Sequence, residues 1–262
     1  MKVVLKFSLP ARRHPYRGGR KMRKALGQDL AASTTWSVET KVDQEMAGGP
    51  NRAPAVHGLA RYLPMYESRL DRTKPIRMLV IGSFYEDSLT TWQDYLHPGS
   101  FLVCADGKSK LLKIAESGNT YVRMCEERHG SLLEKVATEF GPFDVILDKG
   151  SHTSSHMVDS FRSLFTTALG DGGTYMVEDV YYDYWTPYRD RRLSFIEFVK
   201  ALIDAMHAHY QVVSTETASE VGHPGRIREV SVPAITPVLG GIEVYDSIVV
   251  VHRATPDPDE EN

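Results

Sequence analysis

The chain has 262 residues, of which 42% are hydrophobic and 25% charged, so its composition excludes fibrous and low-complexity classes. Its net charge of −3, from 31 basic and 34 acidic side chains, provides no overall attraction to nucleic acid. No apolar run reaches the roughly 18 residues that a membrane-spanning helix needs, so we expect neither a nucleic-acid nor a membrane partner.

The character of the sequence changes near residue 75. Residues 1–74 begin with a basic, Gly- and Pro-punctuated segment and include a helical piece over 57–70 that bends at Pro64. We interpret 1–74 as a basic N-terminal arm and helical lid, 75–253 as the main domain, and 254–262 as an acidic, disordered tail.

After residue 75, short apolar runs alternate with amphipathic stretches, a pattern typical of β-α-β units around a parallel sheet. The runs predict buried strands over Arg77–Ile81, Phe101–Ala105, Thr120–Met124, Phe143–Leu147 and Thr174–Val177. The intervening and following stretches predict helices over Ser88–Leu96, Lys108–Glu116, Ser131–Phe140, Ser155–Leu169 and Leu193–Ala208. Two later runs, Tyr210–Ser214 and Ile242–His252, indicate an antiparallel edge strand. The expected fold is α/β, with a mostly parallel seven-stranded sheet and helices on both faces.

Ligands of open parallel sheets bind beyond the carboxyl ends of the strands, and acidic residues follow four of the first five predicted strands. The sequence contains neither GxGxxG nor a P-loop, which disfavours a dinucleotide or a nucleoside triphosphate. Asp106 lies about twenty residues after the first β-α turn, where an acid can accept hydrogen bonds from ribose hydroxyls. The pattern therefore favours a cationic or hydroxyl-rich ligand, and Asp106 suits one that contains a ribose.

The stretch from Phe140 to Trp185, FGPFDVILDKGSHTSSHMVDSFRSLFTTALGDGGTYMVEDVYYDYW, resembles the macrocin and mycinamicin sugar O-methyltransferases and their rhamnosyl O-methyltransferase and cephalosporin-hydroxylase-like relatives. Shorter segments match in the same order, so the resemblance covers most of Val56–Arg253. It implies a Rossmann-like class I methyltransferase domain over 75–253 that uses S-adenosylmethionine, together with a divalent metal and a histidine base. The implied activity is O-methylation of a small natural product, with glycosides as one class of acceptor, in secondary metabolism such as antibiotic biosynthesis.

Carried over residue by residue, the resemblance places His152 at the catalytic base, and an imidazole suits proton removal near neutral pH. Glu178 and Asp179 fall on two of three metal-ligand acids, and carboxylates suit Mg²⁺. The third position is Lys149, whose ammonium would repel a metal, so Mg²⁺ binding stays open. We expect Lys149 to take the place of the metal between the two carboxylates and to orient an acceptor hydroxyl.

The residues expected to bind S-adenosylmethionine follow the first four strands and are Gly82, Ser83, Asp106, Glu126 and Asp148. Only Gly82 of the family's glycine signature is present in the first loop. A protein of this fold that binds a cofactor or a partner without methyl transfer, or that performs other chemistry, therefore stays as the alternative.

An aromatic run follows the fifth strand, and Tyr181, Tyr184 and Trp185 are expected to line an acceptor pocket, with core packing as the alternative. His156 follows His152 at HxxxH spacing, but no third ligand lies nearby and we reject a zinc site. Two cysteines outside any CxxC pattern indicate reduced thiols and a cytoplasmic protein. Self-association, by analogy with the family, is left open.

Overall fold

The computed structural model describes residue 25 and residues 55–82, 86–106, 118–124, 130–210 and 231–256; for 55–61, 86–90, 106, 124, 130 and 131 it describes the backbone alone. By its contacts the chain divides into two units, Met1–Arg52 and Ala53–Asn262, and every element below belongs to the second. The predicted helix over 108–116, the two site candidates Ser83 and Glu126, and the tail beyond residue 256 lie outside the described residues.

Seven strands form one sheet in the order β3-β2-β1-β4-β5-β7-β6. The strands are β1 (Arg77–Gly82), β2 (Phe101–Asp106), β3 (Thr120–Met124), β4 (Phe143–Lys149), β5 (Leu169–Glu178), β6 (Leu239–Tyr245) and β7 (Ile248–Arg253). Strands β1 to β5 are parallel, whereas β7 is antiparallel to β5 and to β6. The predicted fold class is confirmed, and the antiparallel strand lies one place in from the edge.

The described helices are α1 (Ala55–Arg69), α2 (Glu86–Tyr95), α3 (Gly130–Phe140), α4 (Ser154–Leu164) and α5 (Phe195–Met206). They cover both faces of the sheet, because alternate strand residues point into two separate cores. Helices α3, α4 and α5 bury residues in the core beside Leu79, and α1 and α2 bury theirs in the core beside Val80. None of the helices in the described part of the chain is long and apolar enough to cross a bilayer.

Some element boundaries differ from the prediction. The helix expected over Ser155–Leu169 ends at Leu164, because the chain turns over 165–168 and Leu169 already pairs with Phe143 as the first residue of β5. The run Ile242–His252, predicted as one strand, contains parts of β6 and β7 joined by a turn at residues 246 and 247. Tyr210 ends a short 3₁₀ helix, and 211–214 lie outside the described residues.

Helix α1, predicted as part of the lid, packs on the main sheet and is tied to its edge. The Arg69 guanidinium and the Tyr245 hydroxyl both donate to Glu243, and His252 Nε2 lies 2.6 Å from Glu243 Oε1. Burial opposes ionisation of Glu243, but the hydrogen bonds from Tyr245, His252 and Arg69 prevail and lower its pKa to about 2. This carboxylate therefore joins the C-terminal end of α1 to β6 and β7.

Candidate active site

The predicted site residues Gly82, Asp106, Asp148, Lys149 and Glu178 lie at the carboxyl ends of the parallel strands. The strand order reverses between β1 and β4, and such a switch point is where open α/β sheets bind ligands. Gly82 at the end of β1 pairs with Lys149 at the end of β4. Asp148 pairs with Val177, so Lys149 and the buried Glu178 each follow that pair at adjacent strand ends. The ends of β1, β4 and β5 thus form one continuous edge.

Gly82 and Asp106 end two neighbouring strands, β1 and β2. Ile81 pairs with Ala105, so the next residue on each strand, Gly82 and Asp106, lies at the same level of the sheet. Gly82 has a φ of +134°, and a Cβ added there would lie 2.3 Å from the carbonyl oxygen of Lys149. The close approach of β1 to β4 therefore requires a glycine here, whether or not a cofactor binds.

Asp148, a candidate cofactor residue, is buried beneath the loop that follows β4. Its Oδ1 accepts from the backbone N–H of Gly150 at 3.1 Å, and its Oδ2 accepts from the Tyr175 hydroxyl at 3.4 Å. Burial and the adjacent Asp148 carboxylate raise the pKa of Tyr175 well above its ordinary value, which keeps the phenol protonated as the donor. The hydrogen bonds of Asp148 therefore stabilise the start of the loop that leads to His152.

His152 lies between β4 and α4 with a left-handed φ of 56°. It does not cap α4, because the N-cap position of that helix is Thr153. The imidazole stacks on the Tyr182 ring at 4.7 Å with an interplanar angle of 11°, and its Nε2 lies 3.9 Å from Asp179 Oδ2. The side chain is 19% exposed, so the ring is held from two sides and still accessible from outside.

His156 makes a different contact, since its Nδ1 lies 2.5 Å from the Ser151 hydroxyl. Among the described residues, no group of three His, Cys, Asp or Glu side chains is placed to hold a metal ion. Asp179 instead accepts a 2.5 Å hydrogen bond at Oδ1 from the hydroxyl of Tyr62 on α1. Among the described residues, Asp179 therefore has a hydrogen-bond donor on α1 and does not belong to a three-ligand cluster.

The aromatic run after β5 forms a 3₁₀ helix over Val180–Tyr184 and the turn that follows it. Tyr181 and Tyr182 stack at 4.4 Å, and Tyr182 meets the Trp185 ring at 4.9 Å. Tyr184 is 53% exposed, so it is not a core residue. The member of the run that contacts His152 is Tyr182, which the predicted acceptor set omitted.

Two carboxylates, the buried Asp183 and the exposed Asp190, hold this aromatic segment against α4 and α5. Asp183 accepts from the Ser154 hydroxyl at 2.6 Å and from the Ile196 backbone N–H at 2.7 Å. Asp190 accepts from the backbone N–H of Ser155 at 3.0 Å and from its hydroxyl. Burial opposes ionisation of Asp190, but the bonds from Ser155 prevail and lower its pKa. The segment is therefore fixed relative to the start of α4 and the His152 loop.

No protein-family model matches the chain. Among curated proteins it is 29% identical over 208 residues to the 8-demethyl-8-(2-methoxy-alpha-L-rhamnosyl)-tetracenomycin-C 3'-O-methyltransferase of Streptomyces olivaceus, covering 73% of this chain and 49% of that one. It is 31% identical over 167 residues to the L-olivosyl-oleandolide 3-O-methyltransferase of Streptomyces antibioticus, covering 58% and 42%. It is 26% identical over 207 residues to the demethylmacrocin O-methyltransferase of Streptomyces fradiae, covering 73% and 48%. The chain spans about half the length of the curated relatives it matches.

Among solved structures, the MycE methyltransferase of the mycinamycin pathway, in complex with Mg, SAH and mycinamycin VI, superposes with a TM-score of 0.61. The match has 21% identity and covers 87% of this chain and 64% of that one. The resemblance to the sugar O-methyltransferases is confirmed. The sheet order and the helices on both faces are those of the class I methyltransferase fold.

Within this methyltransferase fold, Tyr182 contacts His152 and Tyr62 contacts Asp179, and neither tyrosine was among the predicted site residues. Tyr182 stood in the aromatic run, and its position directly after the β5 acids is a usable signal. No signal in the sequence indicated Tyr62, because its contact with Asp179 joins residues 117 positions apart. The roles predicted for His152, Lys149 and the cofactor-binding residues stay predictions.

Proposed function

We propose that the protein is an S-adenosylmethionine-dependent O-methyltransferase that acts on a hydroxyl of a small natural product, with glycosides as the favoured class of acceptor. The curated relatives support the reaction class, since they are named as O-methyltransferases, two of them of a rhamnosyl or an olivosyl compound. The observation that carries the proposal is the position of His152 at the carboxyl edge of the sheet, stacked on Tyr182 and facing Asp179.

The chemistry required of this chain is positioning and proton removal. When bound, S-adenosylmethionine supplies a methyl group on a positively charged sulfur. The acceptor oxygen attacks that methyl carbon in line, and His152 takes the hydroxyl proton. The imidazolium that results lies 3.9 Å from Asp179 Oδ2, so the carboxylate stabilises its positive charge. The stacked Tyr182 ring limits the access of water to one face of the base.

The proposed cofactor position is the crevice beyond β1, β2 and β4. Gly82 and Asp106 lie at the same level of adjacent strands, a placement that suits a nucleoside whose ribose hydroxyls donate to an acid. Lys149, at the adjacent end of β4, is proposed to orient the acceptor hydroxyl. No step is assigned to a metal, because the described residues form no cluster of three His, Cys, Asp or Glu side chains. Tyr181, Tyr184 and Trp185 are proposed to contact the acceptor, whose small glycosylated nature is suggested by the relatives.

The test is methyl transfer by the purified chain from labelled S-adenosylmethionine to a panel of glycosides and their aglycones, followed by mass spectrometry. We expect a product 14 Da heavier from a glycoside and not from its aglycone. His152→Gln should reduce turnover by about 10²–10⁴-fold, the usual contribution of a general base. His207→Gln, which changes an exposed histidine at the end of α5, is the matched control and should retain activity.

Two outcomes would contradict the proposal. Full activity of His152→Gln would show that His152 is not the general base. Binding of S-adenosylmethionine without transfer to any acceptor would favour the alternative, a protein of this fold that binds a cofactor but does not methylate. A cytoplasmic location and self-association are not addressed by this assay and stay predictions.

A further inference from the structure

We propose that Tyr62 is a positioning residue of this site, whose hydroxyl fixes Asp179 so that the carboxylate orients the His152 imidazole. The inference deepens the proposed function and rests on it. It assigns Asp179, which the family resemblance places at a metal ligand, to the base instead. It also assigns α1, predicted as a lid, a part in the site.

The geometry forms a continuous chain of three side chains. The Tyr62 hydroxyl donates to Asp179 Oδ1 at 2.5 Å, and the other carboxylate oxygen, Oδ2, lies 3.9 Å from His152 Nε2. Tyr62 is 4% exposed and its ring meets that of Tyr66 edge-on at 6.4 Å, so the hydroxyl has little freedom to move away. Tyr182 stacks on one face of the imidazole.

The backbone around the Tyr62 hydroxyl supports the same conclusion. Three described residues other than glycine have a positive φ: His152 at 56°, Asp179 at 55° and Ser247 at 75°. Tyr62 reaches two of them, since its hydroxyl is also 3.5 Å from the Ser247 carbonyl oxygen, and Asp179 faces the third. Such conformations persist where the surroundings over-determine them, and they concentrate at functional sites.

The series Tyr62, Asp179 and His152 can determine which nitrogen of the base carries the proton. A carboxylate 3.9 Å from Nε2 stabilises a proton on that atom through its charge, and we assign removal of the acceptor proton to the other ring nitrogen, Nδ1. In the transfer step the acceptor oxygen bonds to the methyl carbon as the carbon–sulfur bond breaks. The electron pair of the broken bond goes to the sulfur, and the hydroxyl proton goes to Nδ1 of His152. A carboxylate held by Tyr62 cannot rotate away from the imidazolium that forms, so the orientation of the base is maintained through the step.

The test compares Tyr62→Phe, which removes only the hydroxyl, with Tyr66→Phe, one turn later on the same helix. Tyr66 is 1% exposed and packs against Trp92 at 5.2 Å, so Tyr66→Phe controls for the loss of a hydroxyl from a buried tyrosine. The first readout is the long-range ¹H–¹⁵N spectrum of the imidazoles, with His152 assigned by its loss in His152→Gln. We expect one Nε2–H tautomer in the wild type and in Tyr66→Phe, and a mixture in Tyr62→Phe.

The second readout is steady-state kinetics. Tyr62→Phe should lower kcat by about 10-fold to 100-fold, a part of the contribution of the base, and leave the KM for S-adenosylmethionine near that of the wild type. Asp179→Asn keeps the side-chain shape and removes its charge, and it should reproduce both effects. This second variant decides the question if Tyr62→Phe does not fold.

The outcomes separate this proposal from the proposed function. A His152 spectrum that is unchanged in Tyr62→Phe and Asp179→Asn overturns the positioning role, and so does an unchanged kcat in an active enzyme. If the wild type transfers no methyl group to any acceptor, the proposed function fails, and the spectrum still decides whether Tyr62 and Asp179 orient His152.

Discussion

Gly82→Ala tests whether the close packing of β1 against β4 requires a glycine at the end of β1. An added Cβ would lie 2.3 Å from the Lys149 carbonyl oxygen and 2.6 Å from its carbonyl carbon, so the backbones of β1 and β4 would have to separate. The φ of +134° adds strain of about 1–3 kcal/mol for an L residue. Overpacking against a rigid neighbour costs about 1–3 kcal/mol more. We therefore expect a loss of about 2–6 kcal/mol, a large part of the roughly 5–15 kcal/mol that stabilises a domain.

Gly118→Ala is the matched control, because Gly118 also has a positive φ, of 61°, but no described atom lies within 4 Å of an added Cβ. Its strain of about 1–2 kcal/mol is partly offset by the lower entropy of the unfolded chain, so its net cost should be about 1 kcal/mol. Urea unfolding gives the free energy of unfolding of each variant. If the m values are equal, the difference between the two free energies is the cost of disturbing the β1–β4 contact. A Gly82→Ala protein as stable as Gly118→Ala would refute the packing argument.

Three further predictions concern the edge network, the β6–β7 turn and the cofactor. Glu243 has a folded pKa of about 2 against an ordinary 4.5, so its stabilisation is complete above pH 4.5 and is lost as the pH falls towards 2. Glu243→Gln should therefore cost about 1–2 kcal/mol in unfolding experiments at pH 7, after allowance for solvent screening, and less at pH 3; an equal cost at both would contradict this. Ser247→Gly should stabilise the protein by about 1 kcal/mol and raise Tm, because it relieves a φ of 75° and removes a buried hydroxyl that has no hydrogen-bond partner among the described residues; a lower Tm would oppose this. Asp106→Ala should weaken S-adenosylmethionine binding by about 1.5–3 kcal/mol in calorimetry, and an unchanged Kd would place the cofactor elsewhere.

The sequence was sufficient to predict the sheet because its strands are buried on both faces. Runs such as Arg77–Ile81 and Phe143–Leu147 are nearly all apolar, and each coincides with most of a strand in the structure. The β6–β7 hairpin was missed because its turn, Asp246-Ser247, contains no glycine, although Ser247 adopts a φ of 75°. The start of β5 was missed because Gly170 to Gly173 resemble a loop, whereas Leu169 already pairs with Phe143.

The candidate site was predictable only in part. The position of His152 after β4 and of Asp179 after β5 follows from the rule that parallel strands end at one edge. The contact between Tyr62 and Asp179 did not follow, since it depends on how α1 packs across the sheet. Nor did the stacking of His152 on Tyr182, which depends on the 3₁₀ turn over Val180–Tyr184. Such long-range contacts are set by tertiary packing and have no local periodicity.

Calorimetric titration of the purified chain with S-adenosylmethionine tests whether the carboxyl edge of this sheet binds that cofactor for methyl transfer. We expect saturable binding at one site per chain. We also expect His152→Gln to retain this binding, because the base acts on the acceptor and not on the methyl donor. Absence of binding to the wild-type chain would contradict the proposed function.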